Sequence, residues 1–176
     1  DLRMAFEHVS GEDLNWFFDQ WFLAAGHPIL KVEASKEKGA FMIKVWQKQD
    51  LELYPAFKLP LTMDIWENGR KTQYIVDIDK PYQEFEFNDV ENPDLVVLDS
   101  DFILVGEMDH EKTAEQYQYQ YDHYPENVRA RIKALDFFLK DPYDSISGIV
   151  ITNALKDSFW SIREDVLTFY ESDTTD

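Results

Sequence analysis

The chain has 176 residues, 35 of them acidic and 17 basic, so its formal net charge of −18 argues against nucleic-acid binding and against an anionic membrane surface. Apolar residues make up 44% and aromatic residues 15% of the chain, which is enough for a packed core and argues against wholesale disorder. The chain has no cysteine, which removes disulfides and cysteine-ligated metals, and no apolar run approaches the ~20 residues of a membrane span.

Residues 1–28 are predicted to be helical. Ser10 and Asp13 resemble a capping box, and an apolar face follows at helical spacing, made of Leu14, Phe17, Phe18, Trp21, Phe22 and Ala25. Gly26 and Pro28 would end this helix. We expect the aromatic face to be buried, either by the next region or by sequence outside this chain. The chain begins within the helix and lacks an initiating Met, so we expect a fragment of a longer protein.

Residues 29–107 are predicted to form a seven-stranded antiparallel β-sandwich. The strands are expected at 29–34, 41–46, 57–66, 74–78, 82–87, 95–98 and 102–105. Asn68-Gly69 predicts a tight hairpin, because both central residues of that turn need positive φ. Pro60 lies inside a strand and predicts an edge or a bulge, since proline cannot donate to the ladder.

Residues 108–176 return to helical periodicity, and they contain a repeat at an offset of 32 residues. The aligned sets are Val128, Arg131, Ala134, Leu135, Phe137 and Phe138 with Trp160, Arg163, Val166, Leu167, Phe169 and Tyr170. This period predicts HEAT/armadillo-like paired helices that are truncated after two units. The uncapped end is expected to favour self-association, and the polar stretch 171–176 is expected to fray. The predicted fold class is therefore a multi-part α+β chain.

A search for chemistry begins with the four histidines, His8, His27, His110 and His123. His110-Glu111 begins the two-histidine helix motif of zinc peptidases, but Ala114 stands where the second histidine must be. We therefore interpret His110 as a surface residue near a helix start. His27 lies where the first helix is predicted to end, where it could interact with the terminal carbonyls.

Other candidate sites are equally incomplete. Ser10, Ser145, Ser147 and Ser158 lack a Gly-x-Ser-x-Gly elbow, and no glycine cluster could cradle a phosphate. The acidic segments 99–101 and 141–144 do not match a calcium loop and are interpreted as turns and helix caps. The sequence thus predicts no catalytic, cofactor-binding or metal-ligating residue in this chain.

A tyrosine series leaves two alternatives open. Four tyrosines fall on several faces of one predicted helix: Tyr117, Tyr119, Tyr121 and Tyr124. They either pack within the helical repeats or form an interface with a partner.

The order of these features resembles the aminopeptidase N-like zinc metallopeptidases. The N-terminal part of the resemblance rests on Val9-Ser10-Gly11, Asp13-Leu14, Phe17-Phe18, Gln20-Trp21 and Gly26-His27-Pro28. The middle part rests on Gln47, Gln49 and Leu59-Pro60-Leu61. The C-terminal part rests on Arg131, Ala134, Leu135, Ala154-Leu155, Phe159-Trp160 and Arg163.

The resemblance implies three parts: the terminal helix of a thermolysin-like catalytic domain (1–28), a β-sandwich domain (29–107) and the start of a C-terminal helical repeat domain (108–176). It implies a parent enzyme that removes N-terminal residues from peptide substrates with one zinc, which a His-Glu-x-x-His helix and a later Glu would hold. Those residues would lie upstream of Asp1. The segment itself would hold no cofactor, brace the catalytic domain, help to shape access to it and be inactive alone.

One alternative keeps the same domain order without catalysis. The chain could belong to a protein-interaction scaffold that binds a basic partner, as the charge of −18 and the tyrosine series suggest. The compartment stays unassigned, because the chain shows neither a secretory signal nor a transmembrane segment.

Overall fold

The computed structural model describes residues 1–173, which contain six α-helices and two β-sheets. This mixed α+β organisation, with helices at the N-terminus, agrees with the prediction. Residues 174–176, part of the stretch expected to fray, lie outside the described residues. Within that stretch, the last helix continues as far as Asp173.

The N-terminal segment consists of short helical pieces. Helix α1 (Leu2–Ser10) ends where Gly11 adopts a left-handed conformation at φ 75°, and helix α2 (Asn15–Phe18) continues into a π-helical turn at Asp19–Leu23. The single helix predicted to start at Ser10 is therefore wrong. The Asp13 carboxylate accepts the Asn15 N–H at 2.9 Å instead of completing a capping box, and this short turn separates the two helices.

Two sheets occupy the middle of the chain. The first sheet has the order β5-β2-β1-β7, with β1 (Ile29–Glu37), β2 (Ala40–Gln47), β5 (Tyr82–Phe87) and β7 (Glu107–His110). The second sheet has the order β4-β3-β6, with β3 (Leu59–Glu67), β4 (Arg70–Ile78) and β6 (Leu95–Leu98).

Two features of the second sheet, a hairpin and the position of a proline, agree with the sequence-based predictions. The hairpin between β3 and β4 turns at Asn68-Gly69, with φ of 52° and 73°. Strand β6 pairs with β3 only from Met63 to Trp66, so Pro60 lies on a stretch of β3 with no neighbour on that side. The missing proline N–H therefore costs no ladder hydrogen bond there.

The seventh strand differs from the prediction in place and direction. Residues 102–105 are irregular, because the Asp99 carboxylate accepts the N–H groups of Ile103 and Leu104, each at 3.0 Å. These two donors are therefore bound to Asp99 and not to a strand. The chain instead enters the first sheet at Glu107 and pairs parallel with β1, so the all-antiparallel prediction is wrong. A long connection through the second sheet permits this parallel return.

Both sheets contribute to one hydrophobic core. The first sheet supplies Leu30, Ile43 and Val45, and the second sheet supplies Leu59, Met63, Ile65 and Ile78. Burial of each such side chain stabilises the fold by roughly 1.5–3 kcal/mol. The two sheets therefore depend on each other for stability.

Four helices follow: α3 (Ala114–His123), α4 (Val128–Lys140), α5 (Ser145–Ala154) and α6 (Trp160–Asp173). The first three begin at side-chain caps, Thr113, Asn127 and Asp144. The inward faces of all four helices form a second core around Leu135, Phe138, Ile151 and Ile162.

The 32-residue repeat has a counterpart in the hydrogen bonds. Arg131 donates to the carbonyl oxygen of Pro125, six residues earlier in the chain. Arg163, its aligned partner, donates to the carbonyl oxygen of Asp157 at 2.6 Å, also six residues earlier. The two aligned arginines therefore each bind the backbone of the segment that precedes their own helix.

Candidate functional site

Three histidines lie on separate elements at the surface. His8 is exposed at the end of α1, and His123 Nδ1 donates to the Tyr119 carbonyl oxygen at 2.9 Å. His27 contacts the Glu107 carboxylate at 3.0 Å rather than helix-terminal carbonyls, because the helical segment already ends at Leu23. The predicted role of His27 as a helix-end cation is therefore wrong.

His110 is buried, contrary to the prediction of a surface residue. It ends β7, is only 7% exposed, and its Nδ1 has no hydrogen-bond partner within the described residues. Burial, followed by the positive charges of Lys112 and Lys133, lowers the pKa of His110 to about 3. The ring is therefore neutral at physiological pH.

The histidines and carboxylates do not assemble a metal centre. Among residues 1–173, no group of three or more His, Asp or Glu side chains is placed to hold a metal ion. A catalytic zinc needs three protein ligands and an open position. The donor set present in the described chain therefore does not fit zinc.

The serines and acidic segments serve local structure. Ser147 donates to the Asp141 carbonyl at 2.6 Å, and the Asp144 carboxylate caps α5. Ser10 accepts the Glu12 N–H at 3.2 Å. Asp101 accepts from the Thr62 hydroxyl at 2.8 Å. These contacts agree with the turn and cap roles predicted for 99–101 and 141–144.

The four tyrosines pack within the chain. Tyr117 stacks on Phe137 and Tyr119 stacks on His123. The Tyr121 hydroxyl donates to Asp157 at 2.7 Å, and the Tyr124 hydroxyl donates to Asp64 at 2.8 Å. The predicted packing within the helical repeats therefore holds for Tyr117 and Tyr121, whereas Tyr119 and Tyr124 pack against Trp66 of the second sheet.

Asp64 is the buried carboxylate at the centre of a polar network. It is 1% exposed, accepts hydrogen bonds from the Tyr124 hydroxyl and from Gln73 Nε2 at 2.9 Å, and forms an ion pair with Lys71 Nζ at 3.1 Å. The Trp66 indole N–H donates to the same Tyr124 hydroxyl at 3.2 Å. Burial and the bond to Asp64 raise the pKa of Tyr124, although the Trp66 bond opposes them. The network joins β3 to the end of α3.

A buried ion pair links α4 to the loop before α6. Arg131 and Asp157 form two parallel hydrogen bonds of 2.9 and 3.0 Å, and both side chains are almost fully buried. Burial opposes ionisation of Asp157, but the bonds from Arg131, the Phe159 N–H and Tyr121 lower its pKa. This carboxylate is saturated with donors and is not available for acid–base chemistry.

An uncovered apolar surface lies beside the N-terminal segment. We call Phe17, Phe22, Ile103 and Val105 the N-terminal apolar surface. They border a groove of about 630 Å³, and Phe22 is 60% exposed. Only Trp21 of the aromatic face reaches the sheet core, where it packs on Phe57. The expected burial of this face by the following region is therefore met only in part.

Comparisons with known proteins give a structural likeness. No family model matches the chain, and no curated protein sequence matches it. Among solved structures, aminopeptidase A of Legionella pneumophila, in complex with aspartic acid, is similar with a TM-score of 0.67 and 19% sequence identity. The match covers 89% of this chain and 20% of that chain. The chain thus shares the fold of about a fifth of that peptidase.

No helix within residues 1–173 combines the length and the apolar character needed to cross a bilayer.

Proposed function

We propose that this chain is a supporting portion of a zinc aminopeptidase of the aminopeptidase N-like type. The observation that carries the proposal is the likeness to Legionella pneumophila aminopeptidase A, with a TM-score of 0.67 over 89% of this chain. In this proposal residues 1–28 end a catalytic domain, 29–107 form a β-sandwich domain and 108–176 begin a HEAT-like helical domain.

The order of the elements supports this assignment. A short helical segment precedes two sheets with one shared core, and four helices follow. The equivalent contacts of Arg131 and Arg163 support a repeated helical unit. In the parent enzyme, peptide substrates and the zinc would be bound by residues outside this chain.

The N-terminal apolar surface supports a bracing role. Phe17, Phe22, Ile103 and Val105 come from two separate segments and line one groove, and Lys58 is the single charged side chain in its lining. Contiguous apolar surface of this kind marks interaction sites. We infer that the preceding part of the parent covers it.

The test has two arms. The first reads the gene upstream of the Asp1 codon for a His-Glu-x-x-His motif followed by a later Glu. The second purifies the whole reading frame and, separately, the 176-residue chain, and measures bound zinc and release of amino acids from aminoacyl-naphthylamides. We expect one zinc and activity in the whole protein and neither in the chain alone.

Stoichiometric zinc on the isolated chain would overturn the supporting role. A whole reading frame in which the zinc-ligand positions are lost would overturn the enzyme assignment and favour the scaffold alternative. A frame lacking codons 1–176 serves as the matched control, because it should keep the zinc motif but lose folded, active protein.

A further inference from the structure

A cavity of about 550 Å³ lies where β7 leads into α3 beside α4. We call it the Lys112 cavity. Its basic lining residues are His110, Lys112, Lys133 and Lys140. The volume falls within the roughly 300–1,000 Å³ of small-molecule sites. Strand, loop and helix thus bring four basic side chains to one concave surface of a strongly acidic chain.

Lys112 has no carboxylate partner among residues 1–173. Its ammonium group donates to the neutral Gln120 amide at 2.7 Å and lies 5.5 Å from the centre of the Tyr117 ring. Neither Lys112 nor Lys133 takes part in an ion pair within the described part of the chain. Both lysines are partly buried, and cations withdrawn from solvent are normally paired, in a chain that here has about twice as many acidic as basic residues.

The lowered pKa values of the two lysines agree with a cavity in which their positive charge is not fully balanced by nearby carboxylates. Burial, with a smaller contribution from Lys133, lowers the pKa of Lys112 to about 7. Burial also lowers the pKa of Lys133, although Asp99 and Asp109 oppose that effect. Each lysine is therefore held in a setting that penalises its charged form.

The His110 ring places an unpaired nitrogen next to the cavity, within the packed interior. It lines the cavity, is more than nine-tenths buried, and its Nδ1 is unpaired within residues 1–173. A buried ring nitrogen without a partner costs roughly 1–3 kcal/mol.

The acidic side chains of the cavity do not fill this role. Asp109, Glu111 and Asp136 also line it, but all three are exposed at its rim. Solvent screens exposed charges far more than buried ones. Lys112 and Lys133 are less exposed than these three carboxylates, whereas Lys140 is exposed as they are.

We propose that the Lys112 cavity binds a small oxyanion, whose charge Lys112 and Lys133 neutralise. A carboxylate-, phosphate- or sulfate-sized group satisfies the chemistry, since each offers several acceptor oxygens to ammonium donors. Binding favours the protonated Lys112, so the anion and a proton bind together. Affinity therefore falls as pH rises through 7.

Isothermal titration calorimetry of the full chain with sulfate, in chloride-free buffers at equal ionic strength, tests this. Sulfate keeps its charge between pH 6 and pH 8, so a change in affinity reports on the protein. We expect about tenfold tighter binding at pH 6 than at pH 8, with proton uptake visible as a buffer-dependent heat. Titration with inorganic phosphate and with acetate then compares the affinities for a phosphate group and for a carboxylate group.

Variants locate the site. Lys112→Gln should abolish the pH dependence and weaken binding at least tenfold, and Lys133→Gln should weaken it severalfold. Lys80→Gln, an equal charge change on an exposed lysine outside the cavity, should leave binding unchanged. If Lys112→Gln fails to fold, Lys133→Gln and the pH dependence of the unaltered chain decide the matter. Absent binding, pH-independent binding or equal loss in Lys80→Gln would overturn the proposal.

Discussion

The Tyr124 hydroxyl donates a 2.8 Å hydrogen bond to the carboxylate of Asp64, and this contact crosses from the C-cap of α3 to the middle of β3. Asp64 also forms an ion pair with Lys71 and accepts a hydrogen bond from Gln73, so its buried negative charge remains compensated. This hydrogen bond therefore contributes to the coupling between the sheet and the helical region, beside the apolar contacts of Leu95 and Val97 with Ala130.

Tyr124→Phe removes that hydrogen bond without creating a large cavity. The change removes the acceptor of the Trp66 indole N–H and one of the donors to the Asp64 carboxylate. We expect a loss of about 1–3 kcal/mol in the free energy of unfolding, measured by urea denaturation. Tyr82→Phe, which removes only the exposed bond to Glu84, should cost less than about 0.5 kcal/mol. Equal losses in the two variants would contradict the coupling.

Arg131→Met should be among the most damaging single substitutions in the helical region. It leaves the buried Asp157 carboxylate with Tyr121 and the Phe159 N–H as its only remaining donors within the described structure. Breaking one side of a buried ion pair typically costs about 3–5 kcal/mol. Thermal denaturation of each variant measures the loss of stability. The control is Arg3→Met, which breaks the more exposed Arg3–Glu7 pair and should cost under about 1 kcal/mol.

His110 makes stability depend on pH in the mildly acidic range. Its pKa is about 3 in the folded chain against about 6.5 when unfolded, so between these values only the unfolded state binds the proton. Stability therefore falls as pH falls from 6.5, by about 1.5 kcal/mol at pH 5. Urea midpoints at several pH values should show this slope.

Substitution of the same histidine provides the control for that slope. In His110→Leu the dependence between pH 6.5 and 5 should flatten, whereas His8→Leu, on an exposed histidine of α1, should retain it. A slope that survives His110→Leu would assign the effect to other groups.

Gly26 is required by a close approach. At φ +87° a Cβ would lie 2.8 Å from Cδ1 of the Tyr54 ring. We expect Gly26→Ala to destabilise by about 1–3 kcal/mol, from backbone strain and from the clash together. Gly39→Ala, at φ +94° with open space around it, isolates the strain alone. In a Tyr54→Ala background, Gly26→Ala should cost no more stability than Gly39→Ala does, because the ring that the new Cβ meets has been removed. If Gly26→Ala costs as much in that background as in the unaltered chain, the clash is ruled out.

Local signals account for the features predicted correctly. The Asn68-Gly69 hairpin, the cap at Asp144 and the helical stretch after residue 113 each depend on residues close together in sequence. The strand expected at 102–105 failed because Asp99, a few residues earlier, takes its backbone donors. Alternation of apolar residues carries no information about that competition.

The long-range sites could not be read from local patterns. The burial of His110 follows from the parallel pairing of β7 with β1, which no nearby residue indicates. Asp64 stands within an apolar run, and that is the sole sequence signal of its network. Its partners Tyr124 and Lys71 lie on other elements, so only the tertiary structure brings them together.

The parallel pairing of Ile29 with Glu107 also has a consequence for folding. During synthesis, the backbone N–H and C=O groups on one edge of β1 stay unpaired until every other strand has emerged from the ribosome, because their partner β7 is the last strand to be made. Pairings between sequence-distant segments form slowly, and an open strand edge invites association with other nascent chains. The chain therefore remains open to misassembly at this edge until β7 completes the first sheet.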